Sequence, residues 1–218
     1  MGTIPSIIKN ITQRSVFMPG LVIFDFDDTI LHLDVRWDAV RNDVIALARK
    51  DGEAANPKQH LVPLGNWLSG APHRKNAIDG IYLRHEAECI GRKGYVVFPK
   101  MLALAKELKA GGRKLAIASG NHTENISRIL AELGETGLFS VVCGRDLVRH
   151  NKPAPDQILF VLEKTGSNPE DALFVGDSPN DAAAAKAAGV SHFHVRPNDE
   201  SDIKRLRKLL LCGGPRKD

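Results

Sequence analysis

Short apolar runs alternate with stretches of helical periodicity along most of the chain. The first run, Leu21 to Phe24, is rich in Val, Ile and Phe, which is typical of a strand covered on both faces of a parallel sheet. Strands that alternate with helices favour a parallel sheet with helices on both faces, and we predict this α/β fold. Later strands are predicted over residues 115–118, 139–143, 172–176 and 191–195, with helices over residues 100–110, 122–133, 155–164, 179–188 and 201–211.

Residues 32–94 interrupt this alternation, because they show helical spacing and no convincing strand. Apolar positions over residues 37–47 recur at helical intervals, which predicts an amphipathic helix over residues 34–50. A second apolar stripe runs over residues 78–89. We therefore expect a helical insertion after the first strand. The predicted parts are an N-terminal extension at 1–19, an α/β core at 20–31 and 95–218, and the helical insertion at 32–94.

The composition limits the classes of partner. The chain has 218 residues, of which 43% are hydrophobic, enough for one substantial core and a small insertion. Its net charge of +4 is a slight basic excess, which suits a small anionic substrate. Nucleic acid is not the expected partner, because aromatic residues make up only 6% of the chain and do not interleave with basic ones.

Cysteines and apolar stretches indicate the cellular compartment. The 3 cysteines, an odd number without metal-ligand spacing, argue against a disulfide framework and for a reducing compartment. No apolar stretch approaches the roughly 20 residues of a membrane span, so we expect a cytoplasmic protein without membrane association. The segment before Asp25 lacks acidic residues and faintly resembles an organelle transit peptide, although a plain extension is the preferred interpretation.

Four separate segments place charged or hydroxyl side chains at predicted strand ends, the edge where open parallel sheets bind ligands. Asp25 and Asp27 close the first strand, and side chains two residues apart on a strand point the same way. Ser119 follows the second strand, Lys152 follows the third and Asp177 closes the fourth.

These residue types suggest chemistry on an anion. One carboxylate of an aspartate pair can act as a nucleophile while the other transfers a proton. Like charges this close raise one pKa unless a cation intervenes, and Asp177 could help to bind Mg²⁺. Lys152 precedes a proline, which favours an extended backbone. The segment Ser119-Gly120-Asn121 passes from strand to helix, where exposed N–H groups suit an anion.

Each of these residues also has a purely structural interpretation. Ser119 could cap a helix, and Lys152 could be an exposed surface lysine. Asp177 could be a polar strand end, and Asp181 a charge that complements the dipole of a helix in its first turn. Their order along the chain and their shared edge favour a functional site over four independent structural roles.

Taken in order, four segments resemble the signatures of the haloacid dehalogenase-like hydrolase superfamily. They are Asp25-Phe-Asp-Asp-Thr29, Leu115-Ala-Ile-Ala-Ser119, Lys152-Pro-Ala-Pro-Asp156 and Gly176-Asp-Ser-Pro-Asn-Asp181. The resemblance covers roughly residues 20–197. The insertion after the first strand is similar to the helical cap of the phosphoglycolate phosphatase and β-phosphoglucomutase branch. The resemblance therefore implies a Rossmann-like core that carries a small helical cap domain.

The resemblance also implies a role for each matching residue. Asp25 would be the nucleophile that becomes an aspartyl-phosphate, and Asp27 the acid that protonates the leaving oxygen and then activates water. Ser119, Gly120 and Lys152 would hold the phosphoryl oxygens. Mg²⁺ would be bound by Asp25, the backbone carbonyl of Asp27 and Asp177, with Thr29, Asn121 and Asp181 in support.

The implied function is that of a Mg²⁺-dependent phosphatase of a small phosphorylated metabolite, such as phosphoglycolate or a sugar phosphate, acting as a monomer or homodimer. A phosphosugar mutase of the same fold and a non-catalytic regulatory protein are the alternatives. Asp28 stands where this branch commonly has glycine, and His85 lies on the apolar stripe, as expected of an interior histidine. Candidates in the insertion for contact with the leaving group are His32, Arg36, His60, His73, Arg74, Lys75, Arg84 and His85.

Overall fold

The computed structural model describes residues 18–52 and 72–211. In chain order, the strands are β1 Leu21–Phe24, β2 Leu31–Leu33, β3 Tyr95–Val97, β4 Lys114–Ala118, β5 Val141–Cys143, β6 Ala172–Gly176 and β7 Ser191–His194. Five of them form a parallel sheet in the order β5-β4-β1-β6-β7. This sheet and the helices around it confirm the predicted α/β fold.

Helices connect the strands of the sheet and also fill the segment between β2 and β3. In chain order, the helices of the described residues are α1 Trp37–Lys50, α2 Pro72–Gly91, α3 Pro99–Ala110, α4 Thr123–Glu132, α5 Asp156–Thr165, α6 Pro179–Ala187 and α7 Glu200–Leu211. A short 3-10 turn, Arg145–Leu147, follows β5. Because α1 and α2 pack on each other, the segment between β2 and β3 has apolar contacts of its own.

The central strand β1 is buried on both faces, as its unbroken apolar run predicts. Its alternate side chains enter two hydrophobic cores. Val22 and Phe24 share one core with side chains from α3, α4 and α7, including Leu104, Ile126 and Leu206. Leu21 and Ile23 share the other with Ile158 of α5 and Ala184 of α6. The carboxyl ends of β1, β4 and β6 therefore lie side by side on a rigid support.

The prediction that residues 32–94 contain no strand is wrong at their beginning. Leu31–Leu33 forms β2, which pairs antiparallel with β3 in the register Leu31↔Val97 and Leu33↔Tyr95. Two further bonds extend this ribbon, because Phe98 N donates to Ile30 O at 2.9 Å and Asp34 N donates to Gly94 O at 2.8 Å. A strand of three residues has no periodicity that a sequence window can detect.

Several predictions concern residues outside the described ranges. These are the extension up to residue 17, His60, the side chain of His73 and Cys212. Cys89 and Cys143 are free and buried. Among the described residues, no helix is long and apolar enough to cross a membrane. The cytoplasmic location and the oligomeric state stay predictions.

Candidate active site

The strand β1 delivers Asp25 to the carboxyl edge of the sheet. Asp25 N donates to Val175 O at 2.8 Å, so the ladder with β6 extends one residue beyond β1. The side chain of Asp25 is only 10% exposed. Burial is the main reason that its pKa lies above the ordinary value, and repulsion from Asp181 adds to the effect while Lys152 opposes it.

The loop after Asp25 directs Asp27 and Asp28 to different partners. Asp27 Oδ1 accepts a hydrogen bond from Leu33 N at 2.8 Å, which connects this carboxylate to β2. Burial, followed by the charges of Asp28 and Asp25, raises the pKa of Asp27 to about 7 in spite of that bond. Asp28 has a φ of +57°, in the left-handed region that glycine adopts without strain. Asp28 also has a side-chain partner, because its Oδ1 lies 2.8 Å from His32 Nδ1.

Lys152 is a buried cation between two carboxylates. Its Nζ lies 2.8 Å from Asp25 Oδ1 and 2.6 Å from Asp181 Oδ1, and its side chain is 8% exposed. The interpretation of Lys152 as an exposed surface lysine is therefore wrong. Burial opposes its charge, but the two carboxylates outweigh burial and hold the pKa of Lys152 above its ordinary value. The ammonium group stays charged at neutral pH.

Asp181 caps a helix with one carboxylate oxygen and contacts Lys152 with the other. Its Oδ2 accepts from Ser178 N at 2.9 Å and from Ser178 Oγ at 2.7 Å, which completes a capping box at the start of α6. Its Oδ1 faces Lys152. Burial disfavours the charge on Asp181, but the attraction and hydrogen bonds of Lys152 and Ser178 hold its pKa below the ordinary value.

Gly176 makes room for Asp181 at the end of β6. A Cβ placed on Gly176 would lie 2.6 Å from Asp181 Oδ2 and 2.7 Å from Asp181 Cγ. Real Cβ contacts are essentially never this short. The glycine of the Gly-Asp-x-x-x-Asp signature is therefore required here by close approach, and this requirement could not be read from the sequence without knowing where Asp181 points.

Three carboxylates on two segments form a group that suits a cation. One oxygen each from Asp25, Asp177 and Asp181 lies within 4.8 Å of the others. Burial and then the negative charges of Asp25 and Asp181 raise the pKa of Asp177 to about 7. Thr29 Oγ1 is also buried and has no hydrogen-bond partner in the described part of the chain. Because Lys152 alone does not neutralise three carboxylates, a hard divalent cation such as Mg²⁺ fits this set.

The side chain of Asp27 does not belong to that group. It belongs to a second group with Asp28 and His32, whose ligand atoms also lie within 4.8 Å of one another. The family resemblance implies only the backbone carbonyl of Asp27 as a metal ligand, which leaves its carboxylate for proton transfer. This assignment stays a prediction.

The segment after β4 contributes Ser119, Gly120 and Asn121. Ser119 is fully buried, and its hydroxyl donates to Asn121 Oδ1 at 3.0 Å. The interpretation of Ser119 as a helix cap is wrong, because the N-cap of α4 is His122, whose side chain accepts from Glu124 N. Gly120 is exposed.

The candidate leaving-group residues of the insertion pair with acids where the structure describes their side chains. His85 is buried and lies 2.7 Å from Asp43 Oδ2, which confirms the expectation of an interior histidine. The remaining pairs are His32 with Asp28, Arg36 with Glu88, Arg74 with Asp51, Lys75 with Asp79 and Arg84 with Asp43. Contact of any of them with a leaving group stays a prediction.

Two residues of this region had no signal in the sequence. Arg145 follows β5, and Glu86 lies in α2; both are buried and lie next to the segment at residues 119–121. They are 59 positions apart in the chain, and neither belongs to a signature.

Comparison with known proteins places this geometry in a family. The model of the haloacid dehalogenase-like hydrolases matches residues 19–189. The chain belongs to the haloacid dehalogenase-like hydrolase family. The four signatures on which the sequence prediction rested all lie within the matched residues, so the predicted family is confirmed.

Curated relatives in this haloacid dehalogenase-like family include phosphoglycolate phosphatases. Phosphoglycolate phosphatase 1 of Pseudomonas aeruginosa is 29% identical over 223 residues, which cover 89% of this chain and 80% of that protein. The phosphoglycolate phosphatase of Shigella boydii is 40% identical over 152 residues, which cover 70% of this chain and 60% of that protein.

Solved structures of the family share the fold. A haloacid dehalogenase-like hydrolase from Bacteroides fragilis superposes with a TM-score of 0.58 at 22% identity, covering 86% of this chain and 93% of that one. A hydrolase of the same superfamily from Ehrlichia chaffeensis gives a TM-score of 0.59 at 18% identity, covering 90% of this chain and 98% of that one. At these identities the likeness concerns the fold alone.

Proposed function

We propose that the protein hydrolyses a small phosphate monoester through an aspartyl-phosphate on Asp25, with Mg²⁺ as cofactor. The broader class, a phosphoric monoester hydrolase, follows from the family and from the phosphoglycolate phosphatases among its relatives. One observation carries the proposal. A buried carboxylate, Asp25, lies beside a buried cation, Lys152, and within the acidic group that also contains Asp177.

The chain's own residues supply the steps of the reaction. Asp25 attacks the phosphorus atom, and the bond to the alcohol oxygen breaks as Asp27 gives that oxygen its proton. A water molecule then loses a proton to Asp27 and attacks the same phosphorus, which breaks the bond to Asp25 and releases inorganic phosphate. A pKa of about 7 suits Asp27 to both transfers, since a group that gives and takes protons works best near the ambient pH.

The attacking carboxylate and the phosphate ester are both anions, so the reaction needs positive charge close to them. Phosphoryl transfer depends mostly on positioning and on charge neutralisation. Lys152 would neutralise phosphoryl oxygens, and Ser119 and Gly120 would donate hydrogen bonds to them. Asp25, the carbonyl of Asp27 and Asp177 would hold Mg²⁺, which when bound adds positive charge next to the phosphoryl group. Thr29, Asn121 and Asp181 support these groups.

We assign the choice of substrate to the insertion. The residues of the acidic group and Lys152 all lie outside residues 32–94, so the core at 20–31 and 95–218 would carry the chemistry. A small phosphate ester such as phosphoglycolate or a sugar phosphate fits a helical cap better than a macromolecule does. The phosphoglycolate phosphatases among the relatives favour the first of these.

A panel of phosphate esters tests the proposal. Phosphate release would be measured with Mg²⁺ for 2-phosphoglycolate, two sugar phosphates and p-nitrophenyl phosphate. Asp25→Asn should abolish release from every ester, because an amide cannot replace the attacking carboxylate, whereas Asp38→Asn on the exposed start of α1 should retain full activity. Release by Asp25→Asn at the wild-type rate, or no release from any ester by the wild type, would refute the proposal.

A phosphosugar mutase is the second candidate, because it would use the same Asp25 and Asp27. The two activities differ in what accepts the phosphoryl group. Transfer between two positions of a sugar, followed by phosphorus NMR, would identify the mutase. Release of inorganic phosphate without transfer would identify the phosphatase.

A further inference from the structure

A buried ion pair connects α2 to the segment that follows β4. Arg145 is 3% exposed, and Glu86, from α2, is fully buried. Arg145 Nη1 donates to Glu86 Oε1 at 2.5 Å and to Gly120 O at 2.7 Å. One guanidinium nitrogen therefore bridges a side chain of the insertion and the backbone of a residue that we assign to phosphate binding.

The second oxygen of Glu86 holds the start of α4. Glu86 Oε2 accepts from His122 N at 3.1 Å and from Asn125 Nδ2 at 3.0 Å. His122 is the N-cap of α4 and lies two residues after Gly120. Because the first N–H groups of a helix lack partners within the helix, Glu86 satisfies a donor that would otherwise be unpaired.

The turn that contains Arg145 packs tightly against residues 121–123, which lead from β4 into α4. Arg145 N donates to Asn121 O at 3.0 Å, and Thr123 N donates to Asp146 Oδ1 at 2.8 Å. A Cβ on Gly144 would lie 2.6 Å from Asn121 O and 2.4 Å from Thr123 N. These contacts fix the backbone of Arg145 at a position from which its side chain contacts both Glu86 and Gly120.

We propose that Arg145 and Glu86 are positioning residues for phosphate binding, because their buried pair fixes the backbone of residues 119–121 and ties it to α2. This inference rests on the proposed function of that segment. Loss of Arg145 would leave Glu86 buried without its counter-charge and Gly120 O without its donor, and removing one partner of a buried pair is far more disruptive than removing an exposed one. The acidic group for the cation lies on other segments and keeps its contacts.

The side-chain hydrogen bonds that the structure describes for Arg145 both come from one guanidinium nitrogen, Nη1. Arg145 Nε and Nη2 have no hydrogen-bond partner in the described part of the chain, and Asp79 Oδ1 stays 3.7 Å from Nε. The Tyr82 ring lies 4.9 Å from the guanidinium carbon. The short bonds of Arg145 thus go to Glu86 and to Gly120, the two groups that relate α2 to residues 119–121.

Phosphate binding and catalysis measured on the full chain would test the pair. Arg145→Met should raise the dissociation constant of inorganic phosphate, measured by calorimetry with Mg²⁺ present, by about tenfold and lower kcat/KM by at least as much. Arg145→Lys, which can keep one of the two bonds, should recover part of both losses. The Mg²⁺ concentration for half-maximal activity should not change.

A matched control separates positioning from general stability. Val161→Ala removes buried methyl groups from α5, in the core that α5 and α6 form with Leu21 and Ile23. It should lower the melting temperature without weakening phosphate binding. If Arg145→Met does not fold, the phosphate dissociation constant and kcat/KM would be measured on Glu86→Gln and Arg145→Lys instead. Phosphate binding at the wild-type dissociation constant by Arg145→Met, or by Glu86→Gln if Arg145→Met does not fold, would overturn the inference. Absence of hydrolysis by the wild type would instead refute the proposed function, and the binding measurement distinguishes the two results.

Discussion

Replacing Gly176 by alanine should impair catalysis by displacing Asp181. The added Cβ would lie 2.6 Å from Asp181 Oδ2, whereas ordinary contact begins near 3.4 Å, so this oxygen would have to move by about 0.8 Å, the difference between these distances. Asp181 Oδ1 lies 2.6 Å from Lys152 Nζ, and a shift of this size would break that contact. Because a misplacement of about 1 Å near a reacting centre can cost roughly 100-fold in rate, we expect a loss of this order in kcat.

The same substitution should also lower stability, by about 1–3 kcal/mol for an overpacked site. Release of phosphate and thermal unfolding would be measured on Gly176→Ala and on Gly137→Ala, where an added Cβ meets no atom within 4 Å. The control should behave as the wild type in both assays. If Gly176→Ala keeps at least half of the wild-type kcat, Asp181 and Lys152 do not act through the geometry described above.

Three further predictions concern the cation, a helix start and the left-handed residue. Excess chelator should stop phosphate release and added Mg²⁺ should restore it; full turnover in chelator would exclude the assigned cofactor. Asp202→Asn should lower the free energy of unfolding by about 1–2 kcal/mol at pH 7, because hydrogen bonds from Arg196 lower the pKa of Asp202 to about 2. A carboxyl whose pKa is lowered on folding stabilises the fold at pH values above its ordinary pKa of 3.8. The difference in unfolding free energy between wild type and variant should therefore shrink as the pH falls from about 4 towards about 2. A difference that is constant with pH would contradict this prediction. Asp28→Ala should be less stable than Asp28→Gly by about 1 kcal/mol in denaturant titrations, because only glycine adopts a φ of +57° without strain; equal stabilities would show that the left-handed backbone has no cost there.

The sheet and the edge that carries the site could be predicted because their signals are local. An unbroken apolar run identifies β1, and three of the four signatures place their polar residue directly after a strand, namely Asp25, Ser119 and Asp177. The same signals could not show that Lys152 contacts two carboxylates at once. That depends on how far the loop between β5 and α5 extends towards the ends of β1 and β6. Asp181 shows this limit, because its position in the first turn of α6 predicts a charge that complements the helix dipole and gives no sign of its contact with Lys152.

Contacts between distant segments escaped prediction for a different reason. Glu86 and Arg145 meet across 59 positions, and an acid on a helix or an arginine in a loop is usually a solvated charge. The strand β2 is three residues long with His32 exposed at its centre, and its partner β3 follows only after the whole insertion. Such pairings are fixed by the packing of the complete chain rather than by any window of sequence.

The ribbon of β2 and β3 bears on how proteins of this architecture can diverge. Because Leu33 pairs with Tyr95, the two ends of the segment between β2 and β3 lie side by side, whatever lies between them. The entropy of closing a loop rises only slowly with its length, so the intervening segment can grow, shrink or be exchanged at small cost to the rest of the fold. The segment between β2 and β3 can therefore change in length or sequence while the edge of the sheet that carries the candidate site is retained.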